Sequence, residues 1–311
     1  MAMTARCEQT GEAHPDADLF QPFVPGIEHR TTGEILAHPG FPRMRRRYVA
    51  ETIARYEIAA FPGHWQSVVY RVATLGTIVC NDAAYDPADR TTWPTLTRLK
   101  EAVAVFGLCG PRQIDDFIAR LVETGHVVLE QSAADRRIKL LRSSVTLLAW
   151  DREVLASYYT ALQMLYPEPG YRAALIRDPD FQRAQRFVST RYFPEIARFL
   201  ARNHDLVPFT LMNHGVNVLL LLSDWRIADP GRVIRESDLA ALQPRLGISR
   251  SHVRNVLIRA EERGLLVRHG SKRKALDVTR RGIAALDLFV ADTLASHDMT
   301  YRLALRRLSG A

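Results

Sequence analysis

A stretch near residues 110–142 returns about 139 residues further along the chain, and this self-similarity constrains the fold more than any other feature. Ile114, Phe117, Ile118, Arg120, Glu123, Gly125, Val127 and Val128 fall at the offsets of Val253, Val256, Leu257, Arg259, Glu262, Gly264, Leu266 and Val267. In each copy the apolar residues keep helical spacing up to the glycine, and beyond it the pattern changes to short β-like runs. Gly125 and Gly264 suit the position just past a helix C-terminus, where a left-handed backbone costs glycine little. Hairpins are expected over residues 126–131 with 136–141, and over 265–268 with 274–278.

Upstream of each repeated helix lies another amphipathic segment, residues 96–106 in the first copy and 237–242 in the second. The turn Leu246-Gly247-Ile248-Ser249 permits the reversal at Gly247 and caps the next helix with Ser249, while Gly110-Pro111 supplies a cap and first helical residue in the first copy. Helix, turn, helix and hairpin together predict a mainly α fold with small β-hairpins, built from tandem winged helix-turn-helix units. In such units the second helix enters the DNA major groove and the hairpin reaches adjacent phosphates or the minor groove.

On the second repeated helix, Val253, Val256, Leu257 and Ala260 form an inward stripe, which leaves Arg250, Ser251, Arg254 and Asn255 outward; the capping Ser249 is a further DNA-binding candidate, and His252 a weaker one. Arginine can take guanine bidentately, asparagine can take adenine, and serine can bond a base or a phosphate. The wing tip adds Lys272, Arg273 and Lys274, and residues 231–281 hold 13 Lys/Arg against 5 Asp/Glu, matching the net +8 of the whole chain. The first copy exposes Arg112 and Gln113 beside Asp115 and Asp116, and its wing carries Arg136, Arg137 and Lys139. Its carboxylates oppose phosphate, so the two copies are not expected to bind equally.

Ala134-Asp135-Arg136-Arg137 followed by an apolar strand resembles the wing of the MarR family of bacterial winged-helix regulators. The resemblance implies that Asp135 orients the arginine directed to the minor groove. Leu276-Asp277-Val278-Thr279-Arg280-Arg281-Gly282 is similar to the strand, threonine and glycine that lead into that family's last long helix. The second wing has Lys272-Arg273-Lys274 in place of the Asp-Arg-Arg triplet, and Pro244 stands where the family continues its first motif helix, so that helix is expected to end early. The likeness covers about residues 67–165 and 216–305. It also implies small aromatic effectors between the DNA-binding units and the dimer helices. Trp65, Tyr70, Tyr158 and Tyr159 could line such a cavity, or serve as core, and no effector is assigned.

Residues 1–45 read as an extended or partly disordered arm, 46–166 as the first unit with flanking helices, 167–210 as a helical linker and 211–311 as the second unit. Members of the family pair as homodimers through terminal helices. Here both halves share one chain, which predicts a monomeric pseudo-dimer with interleaved flanking helices reading an asymmetric two-part operator on double-stranded DNA.

The three cysteines form neither a CxxC pair nor a Cys/His cluster, the most apolar run (residues 216–222) is far too short to span a bilayer, and the start of the chain lacks a secretory pattern. A cytoplasmic protein without metal or cofactor is expected. No phosphate loop, nucleophile elbow or HExxH pattern supports an enzyme, although His64, His204 and His214 stand near acidic residues. Two other readings stay open on the same fold: a plasmid-type replication initiator and a tandem winged-helix protein-interaction scaffold.

Overall fold

The computed structural model describes residues 24, 26–57, 67–104, 107, 109–270 and 274–310, with the side chains of 193–197 outside the description. Among the described residues the chain is mainly helical with two small antiparallel sheets. Its first half runs α1 (Thr32–Ala37), α2 (Phe41–Arg55), α3 (Val69–Ala83), α4 (Leu96–Ala104), α5 (Pro111–Glu123), β1 (Val127–Gln131), β2 (Lys139–Ser143) and α6 (Val145–Leu165). The second half runs α7 (Arg172–Leu175), α8 (Pro179–Ser189), α9 (Ile196–Arg202), α10 (Val207–Thr210), α11 (Gly215–Ala228) and β3 (Ile234–Arg235). A 3-10 turn (Glu236–Ala241), α12 (Leu242–Leu246), α13 (Arg250–Glu262), β4 (Leu266–His269), β5 (Ala275–Val278) and α14 (Arg280–Leu308) complete it.

The sequence repeat is matched hydrogen bond for hydrogen bond. The His126 amide donates to the Leu121 carbonyl at 2.8 Å, and the Leu265 amide to Ala260 at 2.9 Å. Between these partners Gly125 and Gly264 take φ of +72° and +70°, closing both helices through the left-handed region. Each hairpin returns to the same place: the Ser144 amide donates to His126 and the Thr279 amide to Leu265, both at 3.0 Å. Ser144 and Thr279 then cap α6 and α14 by accepting from the amides of Leu147 and Gly282. A third strand also recurs, as β3 on β5 in one half and as a single bridge from Thr95 to Leu140 in the other.

The first hairpin departs from expectation, because β1 pairs from Val127 with Ser143 to Gln131 with Lys139. Arg136 and Arg137 therefore lie in the connecting turn and not in a strand. Pro244 does not end its helix early. It occupies the first turn of α12, where its missing N–H forfeits no helical bond, and a 3-10 turn replaces the residues before it.

Residues 32–55, read from sequence as the end of an arm and the start of a helix, instead form α1 and α2, and residues 1–23 lie outside the described residues. The 167–210 segment is more than a linker. Pro39, Phe41, Arg43 and Arg46 recur 140 residues later as Pro179, Phe181, Arg183 and Arg186, so α7 and α8 repeat α1 and α2. Phe41 and Phe181 are both buried.

Packing follows an exchange rule. Within the halves, α2 lies on α6 and α8 lies on α14. Across the halves, α2 meets α11 while α8 meets α3, and α1 meets α14 while α7 meets α6. The two last helices, α6 and α14, also meet each other. A pair of ion pairs obeys the same exchange: Arg45 of α2 reaches Asp287 of α14 at 3.2 Å, and Arg186 of α8 reaches Asp151 of α6 at 2.5 and 3.0 Å. Arg45 also donates to Ser223 at 2.9 Å and is only 2% exposed. One apolar cluster joins these central helices to α13, β4 and β5, while a second fills the space between α3, α4, α5, β1, β2 and the start of α6.

Because each half completes the other, a fragment of residues 26–166 is expected to lack a cooperative urea transition alone and to gain one when mixed with 167–311. Two independent transitions for the isolated pieces would contradict the exchange. Asp151→Ala strands a buried guanidinium and is expected to cost about 3–5 kcal/mol in the intact chain, measured by urea denaturation.

Candidate nucleic-acid interface

α13 forms where Ser249 accepts from the His252 amide at 3.2 Å and Gly247, at φ +64°, reverses the chain before it. Val253, Val256, Leu257 and Ala260 are buried, as the spacing predicts, which turns Arg250, Ser251, Arg254 and Asn255 to the exposed face. Two expected contacts are otherwise engaged. His252 is half-buried and its Nε2 donates to the Asn213 carbonyl at 2.6 Å, which makes it a strut between α13 and the turn before α11. Ser249 spends its hydroxyl oxygen on the cap and lies 2.9 Å from Ser251 Oγ.

Arg254 is 66% exposed and its Nε donates to Glu236 at 3.4 Å. The same carboxylate faces Arg268 of β4 at 3.7 Å, and Arg268 also meets Glu261 of α13 at 3.6 Å. Glu236 thus links the 3-10 turn, the exposed helix and the hairpin, a role no sequence motif announces. In that hairpin Lys274 is exposed; Lys272 and Arg273, with Ser271, lie outside the described residues.

α5 begins at Gly110-Pro111 and buries Ile114, Phe117, Ile118 and Leu121. Arg112 and Gln113 are exposed, but the Gln113 Oε1 accepts from the Gly110 amide at 3.0 Å and so closes the helix start. Asp115 is compensated by Lys100 of α4, whose ammonium stands at 2.6 Å, while Asp116 faces solvent. At the hairpin turn Arg137 donates twice to Asp135, Nε and the terminal nitrogen each at 3.2 Å, and is 92% exposed. That bond holds the Asp135 carboxyl below its ordinary range, with Arg90 a further cation at 3.7 Å. Arg136 and Lys139 are exposed beside it. The structure therefore gathers Arg136, Arg137 and Lys139 at one hairpin and Arg250, Ser251, Arg254 and Asn255 on one helix face.

Between the halves lies a cavity of about 370 Å³, walled by Tyr48, Tyr56, Tyr158 and Phe289 with Arg55 and His297 among its polar residues. Of the aromatic residues singled out by sequence, Tyr158 lines it. Tyr159 is buried against Tyr171, Tyr70 is buried edge-on to Phe117, and Trp65 lies outside the described residues. His297 stacks on Tyr158 with ring centres 4.0 Å apart, and its Nδ1 donates to the Thr293 carbonyl at 2.7 Å. Burial pushes its pKa down to about 4.

The remaining titratable candidates are placed apart. His214 is buried and accepts from Asn217, and His204 stands on the surface near Asp205; His64 lies outside the described residues. Among the described residues no group of His, Cys, Asp and Glu is arranged to hold a metal ion, and no helix is long and apolar enough to cross a membrane. Cys80 is buried, which pushes its thiol up to about 12 and leaves it protonated at neutral pH. Compared with protein-family models, curated proteins and solved structures, the chain matches none.

His297 generates a pH prediction. The unfolded imidazole takes a proton near pH 6.5, whereas the folded one resists it down to about 4. The unfolded state then binds more protons between these values, so stability falls as pH falls through that window. Urea denaturation at pH 7.5 and 5 is expected to show the loss, with a shallower dependence in His297→Phe, which keeps a ring on Tyr158. An identical dependence in both proteins would contradict the assignment.

Proposed function

We propose that this chain is a sequence-specific, double-stranded DNA-binding transcriptional regulator carrying two winged helix-turn-helix units, similar in plan to a MarR-type homodimer but joined in one polypeptide. The reading rests on one observation: in both copies an exposed helix ends in the same hydrogen bonds and a left-handed glycine and is followed by a cation-bearing hairpin. In this reading α13 and α5 enter successive major grooves, with centres about one helical turn, roughly 10 base pairs, apart. The hairpins bearing Arg136, Arg137, Lys139 and Lys274 hold phosphates or the minor groove. The monomer supplies both heads, so the operator has two unlike halves and one chain occupies it. A protein of this kind works in the cytoplasm, beside the DNA.

Several details support the assignment. Asp135 holds the exposed Arg137 guanidinium by two hydrogen bonds in the turn of its hairpin. Arg250 and Arg254 share one face with Ser251 and Asn255, a mixture suited to base edges. The positive net charge is concentrated in the second repeat, which matches a polyanionic partner.

Binding of the purified chain to its selected duplex, followed by fluorescence anisotropy, is expected to weaken steeply as salt rises, because cations on phosphates release counterions. Arg137→Ala is expected to weaken binding to all duplexes and to flatten that salt slope. Arg254→Ala is expected to cost about 1–3 kcal/mol on the selected duplex and to relax its specificity. Absence of duplex binding by the folded protein at low salt would overturn the reading.

A further inference from the structure

Residues 115 and 254 stand 139 positions apart, each the fifth residue of its helix, α5 or α13. Each is held by an opposite charge from a helical segment earlier in its own unit, Lys100 of α4 in the first and Glu236 of the 3-10 turn before α12 in the second. In the second half the outward group is a cation, Arg254, held by the Glu236 carboxylate at 3.4 Å. In the first half the signs are reversed: the outward group is Asp115, held by the Lys100 ammonium at 2.6 Å. The architecture is repeated and its charge is inverted.

We propose that this inversion makes the two heads read chemically opposite base edges, Arg254 a guanine and Asp115 the amino group of a cytosine. The proposal rests on the DNA-binding function stated above. Guanine presents two acceptors in the major groove, N7 and O6, and a guanidinium can satisfy both. The bond to Glu236 uses Arg254 Nε, and a guanidinium carries four further N–H donors. Glu236 is itself anchored by Arg268, so the arginine is aimed from a fixed carboxylate.

A carboxylate at the matching position can only accept. It repels the guanine edge and suits the cytosine N4 amino group, which is a donor. Asp115 is 45% exposed and Lys100 29%, so the carboxylate is the more outward of the pair. Lys100 meets Oδ1 and leaves Oδ2 to take a base donor. The ammonium also offsets the repulsion between Asp115 and the phosphates on either side of the groove, which makes an acidic side chain tolerable there.

The test is selection of bound duplexes from a randomised pool, with the full chain, Asp115→Asn and Arg254→Gln. Both residues are exposed enough for the substitutions to leave folding intact, which thermal melting checks. The wild-type chain is expected to select unlike half-sites, with a cytosine preference in one and a guanine preference in the other. Asp115→Asn is expected to lose the cytosine preference by roughly tenfold and to leave the other half-site unchanged, and Arg254→Gln to do the converse. If the wild-type chain selects a defined site but the substitutions shift neither half, or both together, the inverted-charge assignment is overturned and the regulator reading stands. If the wild-type chain selects no sequence, both are overturned.

Discussion

Two ion pairs, each with one buried partner, Arg45 with Asp287 and Asp151 with Arg186, cross between the halves of the chain in opposite directions. Each joins an early helix of one half to the last long helix of the other, and each removes charge from water at a cost that only close, well-directed partners offset. Their placement fixes which helices meet at the centre. Neither α2 nor α8 can be withdrawn without leaving a charge stranded beneath α14 or α6, and the neighbouring apolar contacts follow the same exchange. The frame on which both exposed helices sit is therefore a joint product of the two halves.

That frame gives the halves equal architecture without requiring equal surfaces. The hydrogen bonds that end α5 and α13, start α6 and α14 and close the hairpins are shared, because backbone groups buried at those points need partners whatever the side chains do. The outward residues carry no such obligation, and they have diverged: Asp115 and Asp116 on one helix, Arg254 and Asn255 on the other. A homodimer would have to change both surfaces together. In a single chain the inner positions can stay constant while each face acquires its own chemistry, and the reading of two unlike DNA half-sites rests on this freedom.

Much of the repeated unit was legible in the sequence because its signals are local. Helical spacing located α5 and α13, Gly125 and Gly264 marked their ends, and Ser249 marked a start. The outward positions of Arg250, Arg254 and Asn255 followed from the same periodicity. What stayed hidden depends on partners distant in sequence. His252 looked like an outward residue until the Asn213 carbonyl claimed its ring, and Glu236 gained its role only when the strand carrying Arg268 folded beside it. The helix α1 and the first turn of α2 read as the end of an arm because proline and glycine punctuate them. The Pro-x-Phe-x-Arg-x-x-Arg pattern that repeats at residues 39–46 and 179–186 was the available signal.

The most direct test of the central claim, that one chain presents two DNA-reading heads, is hydroxyl-radical footprinting on a selected duplex combined with the mass of the complex. Two protected stretches about one helical turn apart on one face of the duplex are expected, with a single chain bound. A single protected stretch, or two chains per duplex, would contradict it.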